Sequence, residues 1–176
     1  QVFLEIKTKD QEGVGRKYRL LSTPISILNF MTKGHLDSSI TDTVVIETVK
    51  KIQRDYKFAI KPRMYIYYDR YSLKEKKYIE GYDYNKIRIT IDQNLVYRDE
   101  TVNLFAGKHG DALLDDHTVI MEIKAPGSKP QWLQDILDKY NLMEYKFSKY
   151  SCAYHKSQGL PYTPRPSIES AGTAYA

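Results

Sequence analysis

The sequence predicts an α+β protein with a mostly antiparallel sheet. Short segments with strict alternation of apolar and polar side chains recur along the chain, and two longer segments carry apolar residues at helical spacing. The length of 176 residues suits one domain, and 41% hydrophobic with 28% charged residues is typical of a globular protein. No apolar run approaches the roughly 18 residues of a membrane-spanning helix, so the sequence predicts no such helix.

Two strands and a helix are predicted in the N-terminal third. Residues 2–8 alternate, and residues 14–22 follow a turn-forming Asp-Gln-Glu-Gly stretch, so the two segments are expected to pair as a hairpin. A short turn of helix is expected after Thr23-Pro24. Residues 42–57 are predicted to form a helix behind a Thr41/Asp42 cap. Its apolar residues recur at helical spacing, and they are Val45, Val49, Ile52 and Tyr56.

The central strands are predicted from the same alternation. Residues 62–73 form a tyrosine-rich strand, and residues 86–92 alternate without error. Gln93-Asn94 is predicted to be a turn, after which residues 95–98 form a short return strand. The segment 103–116, which contains two glycines and three aspartates, is expected to be a loop.

The C-terminal part is predicted to contain two more strands, over residues 118–124 and 145–154. A helix between them is expected to begin at Pro130 and to end near Asn141. Beyond the last strand the chain becomes rich in proline, glycine and serine and poor in apolar residues. We therefore expect a folded domain over residues 1–156 and a flexible tail over residues 157–176.

The polar faces of the predicted strands are rich in cations. They carry Glu5 and Lys7, Lys17 and Arg19, Tyr68 and Arg70, Arg88 with Thr90 and Asp92, and Glu122 and Lys124. The ordinary interpretation is that each of these faces is solvated. A closed sheet would instead hide them in a polar tunnel, where a bound polyanion offsets the repulsion among the cations. The net charge of +5 agrees with an anionic partner.

The carboxylates on these faces need a separate explanation. Glu5 and Glu122 lie among cations, and a hard divalent cation that bridges carboxylate and phosphate oxygens would account for them. The residues alone therefore point to a phosphate-rich anion together with Mg²⁺ or Mn²⁺.

Seven short motifs carry a resemblance to a known family. They are FLEIK at 3–7, RKYR at 16–19, YDR at 68–70, RITID at 88–92, MEIK at 121–124, P-x-W-L at 130–133 and FSKY at 147–150. Their order resembles the VTC domain, which is the polyphosphate polymerase branch of the triphosphate tunnel metalloenzymes in the CYTH-like superfamily. The resemblance covers about residues 2–155.

The resemblance implies both a fold and an activity. The fold is an antiparallel β-tunnel with helices packed on its outside. The lumen binds ATP and polyphosphate with Mn²⁺ or Mg²⁺, and the γ-phosphoryl group of ATP is transferred to the growing chain with release of ADP. This chemistry depends on positioning and charge neutralisation more than on covalent help from the protein.

The resemblance also implies roles for individual residues. Lys7 matches the phosphate-binding lysine of the E-x-K strand, and Glu122 matches the metal-binding carboxylate, with Glu5 as a second metal candidate. The implied catalytic residues are Arg70, Arg88 and Lys149. The implied phosphate ligands are Lys7, Lys17, Arg19, Tyr68, Arg70, Arg88, Lys124, Ser148 and Lys149.

The sequence departs from the family at its beginning. It starts directly at the E-x-K strand, whereas the family places an Arg-x-Arg strand and an earlier lysine before it. We therefore expect an incomplete barrel, whose open edge predicts a homo-oligomer. Two alternatives stay open: a metal-dependent triphosphatase of the same fold, and a non-catalytic module that binds polyphosphate or another polyanion. No specific nucleic acid is expected, and the lone Cys152 favours the cytoplasm.

Overall fold

The computed structural model describes residues 2–9, 15–55, 61–74, 87–125 and 129–167. That part of the chain contains four helices and three antiparallel sheets, so the predicted α+β class is confirmed. No sheet of these residues closes into a barrel, and the tunnel stays a prediction. The chain divides into two compact units, Gln1–Pro62 and Arg63–Ala176.

The first unit contains a hairpin packed on two helices. Strands β1 (Val2–Lys9) and β2 (Gly15–Ser22) pair in the antiparallel sense, with Val2 opposite Ser22, which confirms the predicted hairpin. One face of the hairpin is apolar and packs on a buried helix cluster, and the residues concerned are Leu4, Ile6 and Leu20 against Phe30, Val45 and Val49. Because side chains alternate along a strand, the charged residues share the opposite face.

Local capping explains where the two helices begin. Helix α1 (Pro24–Lys33) is a full ten-residue helix, longer than the predicted turn; Thr23 Oγ1 accepts a hydrogen bond from the Ser26 amide. Helix α2 (Thr43–Asp55) confirms the predicted helix, and Asp42 caps it by accepting hydrogen bonds from two backbone amides. Residues 56 and 57 of that prediction lie outside the described residues.

The second unit is built on a four-stranded antiparallel sheet. Its strands are β3 (Tyr65–Lys74), β4 (Arg88–Arg98), β5 (Asp111–Ala112) and β6 (Ile120–Lys124). Strand β4 is central, because it pairs with β3 on one side and with β5 and β6 on the other. The predicted loop over 103–116 therefore contains a short strand.

Strand β4 does not turn at Gln93-Asn94, so the predicted turn and return strand are wrong. Asn94 has a φ of 54°, and the β3–β4 register shifts there, with Asp69 opposite Gln93 but Tyr67 opposite Val96. A β-bulge and a hairpin turn both use left-handed residues, and asparagine adopts this conformation readily. The Gln-Asn pair was a correct signal of left-handed backbone, but the sheet accommodates it as a bulge.

The predicted strand over 145–154 is also wrong beyond its first residues. Strand β7 (Tyr145–Lys146) pairs with β8 (Arg165–Pro166), and helix α4 (Lys149–Ser157) follows it. Two consecutive residues of α4, Cys152 and Ala153, are buried. A helix can bury two neighbours on one side, whereas a strand turns them to opposite faces.

The main core lies between α4 and one face of the sheet. Its buried members are Leu95, Tyr97, Leu113, Cys152 and Ala153. Tyr162, from the segment predicted as a tail, packs against this core, and Ser167 is buried. Residues 168–176 lie outside the described residues. Helix α3 (Gln131–Lys139) begins directly after Pro130, as predicted, and buries Leu133.

Candidate functional site

Each unit carries one cluster of charged side chains on a strand face. The hairpin cluster, in the first unit, consists of Glu5, Lys7, Lys17 and Arg19. Arg19 Nε donates to Glu5 Oε1 at 2.5 Å, and Lys17 Nζ lies 3.6 Å from the same oxygen. Lys7 Nζ lies 4.0 Å from Glu5 Oε2. The hydrogen bond from Arg19, supported by the nearby positive charges, lowers the pKa of Glu5.

The sheet cluster, in the second unit, consists of Arg70, Arg88, Asp92, Glu122, Lys124 and Lys149. Strand register explains its composition. Arg70 of β3 lies opposite Asp92 of β4, and Arg88 of β4 lies opposite Lys124 of β6. Because residues two apart on a strand share a face, Glu122 joins the same side of the sheet. Lys149, the first residue of α4, completes the cluster.

Asp92 is the centre of the sheet cluster, and it is 0% exposed. Arg70 grips it with two hydrogen bonds, from Nε to Oδ1 at 2.5 Å and from Nη2 to Oδ2 at 2.7 Å. Lys149 Nζ lies 2.6 Å from Oδ2. Burial by itself would raise the pKa of Asp92, but the hydrogen bonds from Arg70 and Lys149 prevail and leave that pKa lowered. Asp92 is therefore a buried carboxylate that holds two cations in place.

Tyr68 supports the same two cations from below. The Arg70 Cζ atom lies 4.9 Å from the centroid of the Tyr68 ring, and Lys149 Nζ lies 4.8 Å from it. Cations are attracted to the face of an aromatic ring. The Tyr68 ring also packs against the core, so it connects the position of both cations to the folded interior.

The outer part of the sheet cluster is more exposed. Lys124 Nζ lies 3.2 Å from Glu122 Oε1, and Arg70 Nη2 lies 3.8 Å from Glu122 Oε2. Arg88 is exposed beside Lys124. The cluster as defined has four cations and two carboxylates, so it retains an excess of positive charge that attracts an anion.

Glu122 is the better candidate for a metal ligand. The described residues contain no group of three His, Cys, Asp or Glu side chains that could hold a metal ion. Both oxygens of Asp92 are taken by Arg70 and Lys149, whereas the side chain of Glu122 is 42% exposed. Mg²⁺ commonly uses one or two carboxylates together with substrate phosphates and water. Glu122 therefore fits a metal that a phosphate chain helps to hold.

The structure brings most of the predicted site residues together, in two groups. One group is Glu5, Lys7, Lys17 and Arg19, and the other is Tyr68, Arg70, Arg88, Glu122, Lys124 and Lys149. Ser148 has a structural duty as the N-cap of α4, where its Oγ accepts from the Ser151 amide at 3.2 Å. The proposed role of Ser148 in phosphate contact stays a prediction.

The sequence analysis missed Asp92 as a site residue. It placed Asp92 on the polar face of its strand but assigned it no role. The signal was present, because a lone carboxylate occupied an alternating position on a face that otherwise carries Arg88 and its cationic neighbours. Its burial and its two partners depend on β3 and α4, which sequence alternation does not place.

Comparison with known proteins identifies the family. Among the helices of the described segments, none is both long enough and apolar enough to cross a membrane. Neither the curated proteins nor the solved structures give a match to the chain. The family model of the VTC domain matches residues 1–157. The VTC family is the polyphosphate polymerase branch of the tunnel-fold superfamily, so a polyphosphate-related function follows. The match covers most of the chain, and this protein therefore belongs to the VTC domain family.

Proposed function

We propose that this chain is a phosphotransferase that binds ATP and polyphosphate at the sheet cluster. It transfers the γ-phosphoryl group of ATP to the end of the polyphosphate chain. The observation that carries the proposal is the excess of cations around a buried carboxylate on one sheet face, with Arg70 and Lys149 both fixed by Asp92. In this proposal the face of β3, β4 and β6 forms one wall of the tunnel that the family fold implies.

Asp92 leaves the two fixed cations able to bind phosphate. Arg70 uses Nε and Nη2 on Asp92, so its Nη1 hydrogens stay available. Lys149 has three N–H donors, and only one of them is needed for Asp92 Oδ2. Hydrogen bonds between such cations and phosphate oxygens are among the strong ones in proteins. Asp92 therefore positions the donors without consuming them.

The remaining cations would offset charge along the bound chain. Arg88 and Lys124 are exposed and adjacent, so they can follow successive phosphates. The hairpin cluster supplies further proposed phosphate ligands in Lys7, Lys17 and Arg19. Glu5 stays the second candidate for the metal, although three cations already surround it.

The reaction forms one bond and breaks one. A terminal oxygen of polyphosphate attacks the γ-phosphorus of ATP, and the bond between that phosphorus and the β,γ-bridging oxygen breaks to release ADP. The attacking oxygen is already ionised, so no strong general base is required. Mn²⁺ or Mg²⁺, held by Glu122 and phosphate oxygens, would draw charge from the transferred group. Arg70 and Lys149 would hold that group in place and stabilise its negative charge.

The direct test is an incubation of the full chain with ATP and Mn²⁺ or Mg²⁺, with separation of polyphosphate, ADP and orthophosphate. Polyphosphate with ADP is the expected result, and Arg70→Ala and Arg88→Ala should each abolish it. Arg54→Ala, on the exposed side of α2 and outside both clusters, is the matched control that should retain activity. Full activity in both of the first two variants would overturn the proposal.

Two alternatives give different products. Orthophosphate without polymer would indicate a triphosphatase. The non-catalytic binding module is favoured by one observation, namely that the donor set around Glu122 includes no second free carboxylate within the sheet cluster. Tripolyphosphate binding that survives Glu122→Gln, without any turnover, would establish it. The homo-oligomer and the cytoplasmic location stay predictions.

A further inference from the structure

A buried hydroxyl in the middle of the sheet cluster lacks a partner. Thr90 of β4 is 4% exposed, and its Oγ1 atom makes no hydrogen bond to any residue that the structure describes. A buried hydroxyl without a hydrogen bond is unfavourable, and native proteins keep few of them. The position therefore needs a reason.

Strand structure alone does not supply that reason. A β-branched residue suits the centre of a sheet, but valine has almost the same shape as threonine and no polar group to leave unsatisfied. The residues on either side of Thr90 are Ile89 and Ile91, which are β-branched and apolar. The methyl group of Thr90 is thus explained by the sheet, whereas its hydroxyl is not.

The surroundings of Thr90 indicate an anionic partner. In the strand register Thr90 lies opposite Glu122 on one side and opposite Ser72 on the other. Along β4 it lies between Arg88 and Asp92 on the same face. The hydroxyl is therefore enclosed by the cations of the sheet cluster. The local excess of positive charge favours an anionic oxygen as the acceptor of its proton.

We propose that Thr90 Oγ1 donates a hydrogen bond to a phosphate oxygen of the polyanion held by the sheet cluster. The inference rests on the proposed function, since it adds a ligand to that same site. A phosphate can reach the hydroxyl when the neighbouring side chains rearrange around it. Lys124 and Glu122 are 55% and 42% exposed and are free to do so.

The test compares wild type, Thr90→Val and Thr90→Ser in the full chain. Tripolyphosphate affinity is measured by titration calorimetry, and stability by urea unfolding. Thr90→Val should bind tripolyphosphate about 10-fold more weakly, because a hydrogen bond to a charged group is lost. It should be at least as stable as wild type, because the unpartnered hydroxyl is gone. Thr90→Ser keeps the hydroxyl and should bind within about 3-fold of wild type.

Each other outcome is decisive. Equal affinity in wild type and Thr90→Val would overturn the role of Thr90 and leave the proposed function standing. Marked destabilisation by Thr90→Val would show that the hydroxyl has a partner in the fold, and would also overturn it. Absence of tripolyphosphate binding in wild type would instead overturn the proposed function itself.

Discussion

The hairpin cluster and the sheet cluster use the same chemistry at different depths. In each, one carboxylate receives hydrogen bonds or ion pairs from an arginine and at least one lysine. The side chain of Glu5 is 27% exposed on a two-stranded hairpin, whereas Asp92 is fully buried on a central strand. The number of charges does not separate the two clusters; the position of the carboxylate in its sheet does.

Burial changes what the carboxylate does for its partners. An exposed ion pair is screened by water and contributes about 0–1 kcal/mol. A buried carboxylate cannot be left without its partners, so its cations are held in fixed positions. We infer that the sheet cluster is preorganised for a ligand and that the hairpin cluster adapts to one.

Loss of the buried carboxylate is expected to have the largest effect. Asp92→Ala removes the anchor of Arg70 and Lys149 and leaves a gap in the sheet, and it should cost about 3 kcal/mol in the free energy of unfolding. Glu5→Ala is the matched variant in the hairpin cluster and should cost less than about 1 kcal/mol. Urea unfolding of both variants makes the measurement. Similar losses in the two would remove the distinction between the clusters.

Loss of one arginine from each cluster should affect binding unequally. Arg70→Ala should weaken tripolyphosphate binding by about 10- to 100-fold, because a fixed charge-assisted hydrogen bond is lost. Arg19→Ala should weaken it less, because Arg19 is half exposed and less constrained. Titration calorimetry at one fixed salt concentration compares them. A larger effect from Arg19 would place the tighter phosphate site in the hairpin cluster.

Acid should destabilise the protein through Asp92. Its pKa is lowered in the folded state, so the stabilisation is complete above the ordinary carboxyl pKa of about 4 and is lost as the pH falls through the lowered value. The free energy of unfolding should therefore decline below about pH 5. Asp92→Asn should show a much flatter decline. Parallel curves for wild type and Asp92→Asn would contradict this assignment.

The smallest expected effect is the pairwise coupling within the hairpin cluster. A double-mutant cycle for Glu5 and Arg19 should give less than about 1 kcal/mol and should vanish near 1 M salt. The corresponding cycle for Asp92 and Arg70 should persist at that salt concentration, because the buried pair is poorly screened. Equal salt sensitivity in the two cycles would count against a buried role for Asp92.

Strand existence and face composition could be predicted from the sequence, because alternation is a local property. It correctly placed Glu5 opposite the apolar face of its hairpin and grouped Arg88 with Asp92. Two kinds of information were not local. The alternating appearance of residues 145–154 concealed a helix begun by Ser148, and the burial of Asp92 depends on a partner from β3 and another from α4.

The β-bulge at Asn94 changes the phase of strand β4, much as an inserted letter shifts a reading frame. Without the extra residue, Leu95 and Tyr97 would alternate onto the side opposite Asp92. With it, one continuous face is charged along Arg88–Asp92 and apolar from Leu95 onward, where α4 packs. That face consequently has a direction. An anionic polymer that follows its cations from Arg88 meets a hydrophobic wall just beyond Asp92, so this single residue gives the binding surface an end.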